Sequence, residues 1–293
     1  MLNEQDFIIN KIEEVIKERG IPLYLSKWKP KKTNKKFTSE KNFIDFLNKF
    51  IESYHSHTSI DIIKNNVLIT PRKPSKRLPS FYYDEKNKIG RIKYYKYFIA
   101  FDDKYDKCEK FKLLVNTVKN KLKEWYKDGI KGLIIDLSQH KGGWFQPFVH
   151  SLDLILNNTT LFGYGKNKLK KSDKSWINYT KYDTEFGEKF LSSKINLNIP
   201  LALIIDKNTA SSREFCASIF YRKNKFIKIF GQNTYGKLSF NESIKITPTV
   251  KLNLTVNLVT TVDGTFHKKE YLEPNIKTDK PITDAKKWIL GFK

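Results

Sequence analysis

Serine, lysine and paired glycines stand in this chain at three points where an apolar run gives way to a turn. The run Pro200-Leu201-Ala202-Leu203-Ile204-Ile205-Asp206 leads to Thr209-Ala210-Ser211-Ser212-Arg213-Glu214. Apolar residues at helical spacing follow, at Phe215, Ile219 and Phe220. A strand, a tight turn of small residues and a helix lift a serine hydroxyl clear of a sheet, as a nucleophile requires. The first helical amides lack intrahelical partners and can receive a developing oxyanion. Serine and threonine also open helices as ordinary caps, so Ser211 by itself reads either way.

Two further segments share the pattern. Upstream, Gly132-Leu133-Ile134-Ile135-Asp136-Leu137 is a buried-strand run that ends in Ser138-Gln139-His140-Lys141-Gly142-Gly143. Adjacent glycines let the backbone approach a ligand and leave amides to point at it. Downstream, Phe226-Ile227-Lys228-Ile229-Phe230 runs into Gly231-Gln232-Asn233-Thr234-Tyr235-Gly236-Lys237-Leu238. Serine, lysine and a glycine-built amide pocket together suffice for acyl transfer.

The three segments resemble the C-terminal processing, or tail-specific, serine peptidases, related to the tricorn core and the interphotoreceptor retinoid-binding repeats. That family reads Asp-Leu-Arg-x-Asn-x-Gly-Gly, then Thr-Ala-Ser-Ala-x-Glu, then Gly-x-x-Thr-Tyr/Phe-Gly-Lys-Gly. This chain gives Asp136 to Gly143, Thr209 to Glu214 and Gly231 to Leu238 in the same order. Ile89-Gly90-Arg91-Ile92 resembles the family's entry strand, Glu270 to Asn275 its closing strand, and Tyr54 to Ser59 its His-Thr motif. The likeness extends over roughly residues 45–280. Ser138-Gln139-His140 replaces the usual Arg-x-Asn, and Leu238 replaces the glycine after the lysine. The chain between Ser59 and Ile89 is too short for the PDZ domain that many members carry.

The resemblance implies a serine endopeptidase with a Ser-Lys dyad, Ser211 as nucleophile and Lys237 as base. A lysine amine titrates near 10.4 in water, and bringing it to about 8 disfavours the ammonium by roughly 3–4 kcal/mol. Tyr235, Leu238 and Phe240 are the neighbours that could desolvate it, and Asn241 stands where an orienting amide is placed. Amides of Gly142 or Gly143 and of Ser212 would form the oxyanion hole. His57 reads as structural beside a lysine base, and as the base itself in a tricorn-like Ser-His alternative, with Glu270 as its acidic orienter. His140 reads as a brace of the glycine loop. A second alternative is a catalytically inactive binding protein with a basic surface.

Composition sets the frame. The 293 residues can bury a sizeable core. Two cysteines, Cys108 and Cys216, do not make a disulfide framework, and Cys216 reads as core. No Cys/His spacing of zinc type and no phosphate loop occurs, so neither a metal nor a cofactor is expected. No basic-then-apolar leader and no apolar run of membrane length is visible, which gives the expectation of a cytoplasmic enzyme with a polypeptide substrate and no membrane partner. The net charge of +24 raises a nucleic-acid partner. The lysines, however, occur in runs such as Lys29 to Lys36 and Lys166 to Lys171 without interleaved stacking aromatics, as solvated faces do.

The periodicity gives an amphipathic helix over 5–19 (Phe7, Ile8, Ile12, Val15, Ile16), a basic connector over 20–38 and a second helix through Phe43, Leu47 and Ile51. A strand near Val67 follows. Then come a strand over 92–101, a helix over 107–127, a strand over 132–137, a helix over 145–156 and a lid-like lysine-rich stretch to about 198. Alternating Leu252, Leu254, Val256 and Leu258 mark a late strand. The expected organisation is a helical N-terminal subdomain over 1–80 and a peptidase core over 81–293. The expected fold class is α/β, and the resemblance implies a crotonase-like (ClpP/crotonase) spiral core.

Overall fold

Gly132-Leu133-Ile134-Ile135-Asp136 is apolar without alternation and all five residues are buried, as in a strand covered on both faces. Leu201–Ile205 lies parallel to it on one side and Ile89–Lys93 on the other, with Leu133 opposite Leu201 and Gly132 opposite Ile89. A computed structural model describes residues 4–30, 37–64, 67–69, 75–98, 104–152, 154–156, 160–166, 176–178, 199–221, 224–261, 264–267 and 269–292. Most of the lid-like stretch, residues 31–36 and residues 167–171 lie outside them. The chain divides into two compact units.

The larger unit comprises residues 74–163, 169–238 and 259–293. Its sheet runs in the order Ile276–Lys277, Ile227–Gly231, Leu201–Ile205, Gly132–Asp136, Ile89–Lys93, Ser80–Asp84. All neighbours are parallel except the last pair, an antiparallel hairpin. The helix Lys104–Lys127 buries Phe111, Leu114, Val115, Val118, Leu122 and Trp125, one stripe at helical spacing. Pro281–Leu290 packs Ala285 and Ile289 against Ile134, Ile204 and Phe230. A side chain at Gly132 would meet Ile289 at 2.3 Å, so the glycine lets the helix close on the sheet. The mixed α/β class expected from the sequence is found. The entry strand is Ile89–Lys93, with Tyr97–Phe98 a separate short strand. The helix after the glycines is only Gln146–Ser151, shorter than the span of 145–156 that the spacing suggests.

Parallel strands bring equivalent ends together. Asp136, Ile205 and Gly231 therefore end on one edge, and the three motif loops leave from it, where open α/β sheets place their sites. At Gly231 φ is +119°, and an added Cβ would fall 2.0 Å from the Ile205 carbonyl oxygen, so only glycine lets the chain turn out here.

The smaller unit gathers residues 1–73 with 164–168 and 239–258. Helices Glu4–Arg19 and Glu40–Glu52 bury Ile12, Ile16, Leu47 and Ile51 with Leu252 and Leu254 of the strand Val250–Val259. That strand pairs antiparallel with Ser59–Lys64 and with Ser239–Lys245, and Ser59–Lys64 pairs in turn with Val67–Ile69.

Candidate active site

Ser211 precedes the helix Ser212–Ser218, yet its backbone is not that of an ordinary cap. Its φ and ψ are 56° and −126°, whereas Ser39, a cap in the same chain, is extended at −131° and 144° and accepts the Asn42 amide. Left-handed φ at a residue with a Cβ is sparsely populated and persists only where the surroundings fix it. They do so here. Thr209 N donates to the Asp206 carbonyl at 2.9 Å, Ala210 N to the His140 carbonyl at 3.1 Å, and Ser211 N to Glu214 Oε2 at 2.8 Å. Asp206 also ties the turn to the neighbouring loop, accepting the amides of Asn208 and Gln139, each at 3.0 Å.

The glycine loop lies against this elbow. Gly142 has φ +92°, and a Cβ there would come within 3.0 Å of both the Ser211 Cβ and the Ala210 carbonyl oxygen. Gly143 has φ +129°. Behind the loop His140 is fully buried, and burial first, then the Arg213 charge, hold its pKa well below the usual 6.5. A neutral imidazole has one lone pair. Arg213 Nε donates to His140 Nε2 at 2.7 Å and cannot lose its proton, so Nδ1 carries the hydrogen. The 3.2 Å approach of Gly142 N to Nδ1 then brings two donors together, a contact and not a hydrogen bond. The brace expected of His140 is thus its ring toward Arg213 and its carbonyl toward Ala210.

The lysine loop is joined to the elbow by one side chain. Glu214, fully buried, accepts Ser211 N at 2.8 Å, Thr234 Oγ1 at 2.5 Å, Gly236 N at 2.9 Å and Lys237 N at 2.7 Å. Burial pushes its pKa up to about 7, against the pull of these four donors. Lys237 is half-buried, with Nζ 5.3 Å from the centroid of the Tyr235 ring. Tyr235 is 60% exposed, so it shields the amine less than the sequence suggests, while Leu238 is buried.

His57 and Asn241 belong to the smaller unit. His57 Nδ1 lies 2.9 Å from Ser239 Oγ, and its amide donates to His55 Nδ1 at 3.1 Å. Both ends of the Asn241 amide are engaged there. Nδ2 donates to the His57 carbonyl at 2.7 Å, and Oδ1 accepts from Thr255 Oγ1 at 2.9 Å.

The segment holding all three loops of the larger unit has a recognisable family pattern, since a sequence model of peptidase family S41 matches residues 105–278. The chain belongs to peptidase family S41. This S41 chain is 27% identical over 164 residues to the nisin-resistance protein of Lactococcus lactis subsp. lactis, covering 56% of the chain and 51% of that protein. It is 23% identical over 155 residues to the carboxy-terminal processing protease CtpA of Bacillus subtilis (strain 168), covering 53% and 30%. The matched stretch thus spans about half of the first relative and under a third of the second. In fold it is similar to a lipoprotein from Streptococcus agalactiae, with a TM-score of 0.73 at 22% identity over 99% of this chain and 98% of that one. It is also similar to the photosystem II D1 C-terminal processing protease, with a TM-score of 0.51 at 16% identity over 73% and 51%.

Three residues that hold candidate side chains or loops in place were not singled out by the residue pattern. Glu214 had a signal, the capping-box spacing Ser-x-x-Glu from Ser211. Arg213 and Ser239 had none, because their partners His140 and His57 are 73 and 182 residues away.

Proposed function

We propose that this chain is a serine endopeptidase that hydrolyses peptide bonds through an acyl-enzyme on Ser211. The observation that carries the reading is the left-handed backbone of Ser211, held against Gly142 at the carboxyl edge of a parallel sheet. As Ser211 Oγ attacks, the new C–O bond forms and the carbonyl π pair moves onto oxygen. Amides of Ser212 and of Gly142 or Gly143 receive that oxyanion; one such donor contributes about 2.7–4 kcal/mol to the transition state. The hydroxyl proton passes to the base and then to the leaving amine, and water repeats the sequence on the ester.

Lys237 is the base in the first reading. Its support is the Glu214 carboxylate, which accepts the Lys237 and Ser211 amides through one oxygen and so fixes both backbones together. A second reading gives the proton to His57, supported by the hydrogen bond that holds Nδ1 on Ser239 as an oriented base requires. In that reading Asn241 acts by holding the His57 carbonyl rather than the lysine amine.

The crotonase-like spiral, the division near residue 80 and a polypeptide substrate belong to the same proposal. The name of the relative concerned with nisin resistance makes nisin a second substrate to test. No helix among the described residues is long and apolar enough to cross a membrane. A cytoplasmic location stands as the proposal from sequence, and the similarity to a lipoprotein makes fractionation of the native gene product its check.

The test compares cleavage of an unfolded protein and of nisin by wild type and by the Ser211→Ala, Lys237→Ala and His57→Ala variants. Inactive Ser211→Ala and Lys237→Ala with active His57→Ala supports the dyad. Activity that survives Lys237→Ala and is lost in His57→Ala moves the base to histidine. Full activity of a folded Ser211→Ala refutes the peptidase reading.

A further inference from the structure

Among the described residues Arg213 is the largest fully buried side chain, 1% exposed, on the first turn after the elbow serine. A guanidinium cannot shed its charge, and an uncompensated buried charge is costly. Among the described residues no carboxylate pairs with it. Its partners are all uncharged: His140 Nε2 at 2.7 Å, Cys216 Sγ at 3.4 Å, the Trp144 carbonyl at 3.5 Å and the Phe148 ring at 5.3 Å. The titratable groups whose ionisation its charge shifts are neutral as well. Burial keeps His140 deprotonated, pushes the Cys216 thiol up to about 11 and raises the Tyr94 phenol. Among the described residues, then, no carboxylate is hydrogen-bonded to this buried charge; the neighbouring Glu214 spends its oxygens on Ser211, Thr234, Gly236 and Lys237 instead.

Where an anion would arise is given by the chain itself. Ser211 lies two residues before Arg213, and His140, which Arg213 grips, holds Ala210 through its carbonyl and lies 3.2 Å from Gly142 N through its ring. Resting on the reading of Ser211 as a nucleophile, we propose that Arg213 is a positioning residue of the oxyanion site. Through His140 it fixes the glycine loop against Ser211, and its buried charge favours the negative oxygen of the tetrahedral adduct over the neutral ground state. The guanidinium does not touch the adduct. It acts through the imidazole and through its field, which a low-dielectric interior screens weakly. The effect falls on the transition state and leaves ground-state binding of the peptide nearly untouched.

The experiment measures the rate at which a fluorophosphonate probe labels Ser211, read by intact mass, together with kcat and KM for a cleaved peptide. Wild type is compared with Arg213→Met, which keeps the bulk and removes the charge, and Arg213→Lys, which keeps the charge and loses the fork. Arg213→Met is expected to lower labelling and kcat by about tenfold or more while KM moves less than about twofold, a part of the ~10²–10³ that a direct oxyanion donor supplies. Arg213→Lys is expected to return both toward wild type, to within about threefold. Labelling of Arg213→Met at the wild-type rate overturns the proposal, as does equal loss in the two variants, which marks a role of shape alone. If Arg213→Met does not fold, Arg213→Lys decides: a rate near wild type upholds the charge role, and a tenfold loss sinks it. A wild type that is never labelled at Ser211 removes the peptidase reading itself, an outcome distinct from all of these.

Discussion

Glu214 Oε2 accepts the backbone amide of Lys237 at 2.7 Å while also accepting that of Ser211 at 2.8 Å. One buried oxygen thus fixes two loops that are 26 positions apart in the chain. The other oxygen accepts the Thr234 hydroxyl, which itself accepts Leu272 N, and the Gly236 amide.

Glu214→Gln replaces one of the two accepting oxygens by a donor. At least one loop donor then faces an N–H group in a dry site, at a cost of about 1–3 kcal/mol for each orphaned group. The variant is expected to unfold at a lower denaturant midpoint and to lose at least about tenfold in kcat, because the elbow and the lysine loop are no longer held together. Chemical denaturation and turnover of the same preparation check both.

The pH dependence of Glu214 works in opposite directions on stability and activity. Burial raises its pKa from 4.5 to about 7, so the unfolded chain loses this proton first as pH rises. The stabilisation is complete below the unfolded value and is lost as pH rises through about 7. Activity follows the ionised form, which can accept all four donors, and is expected to rise over the same interval. Melting temperature and kcat measured from pH 5 to 8.5 should cross in this way, and in Glu214→Gln both trends should flatten.

At Gly142 the obstacle is both conformational and steric. Its φ of +92° disfavours any side chain, and an alanine Cβ would press on the Ser211 Cβ and the Ala210 carbonyl at 3.0 Å. Gly142→Ala is expected to cut the rate of fluorophosphonate labelling by about 10²-fold, the scale of losing one oxyanion donor. Gly143→Val, which adds bulk to the same loop at a φ of +129°, is expected to behave alike. Full activity in either variant would remove the glycine loop from the oxyanion site.

Gly231→Ala tests the scaffold rather than the chemistry. Its Cβ would fall 2.0 Å from the Ile205 carbonyl oxygen, so the strands Leu201–Ile205 and Ile227–Gly231 must part at their active end. A loss of about 3 kcal/mol or more in unfolding free energy is expected, the size seen where backbone strain and lost packing combine. Thermal denaturation with an unchanged midpoint would contradict the placement of this turn.

Sequence patterning carried the larger unit's parallel strands well. Gly132–Asp136 and Leu201–Ile205 are unbroken apolar runs, and such runs are stable only when covered on both faces. It carried the ends less well. The helix after the glycines stops at Ser151, whose hydroxyl is drawn to the Phe148 carbonyl at 2.7 Å and to Tyr94 Oη at 2.8 Å. Tyr94 lies 57 positions away, and such a partner leaves no trace in local spacing.

That a small-residue turn carrying Ser211 follows a buried strand, and that glycine-rich and lysine-bearing turns follow two others, is legible in consecutive residues alone. Apolar runs and glycines report local backbone needs, and those needs are written in consecutive residues. Long-range contacts set the rest: the left-handed backbone of Ser211, the four donors collected by Glu214, the histidine that meets Arg213 instead of a carboxylate, and the hold of Asn241 on the His57 carbonyl. Each of these depends on which groups parallel pairing and burial bring within about 3 Å, the range over which hydrogen bonds discriminate. The chain encodes that selection through its fold and not through the spacing of the residues involved.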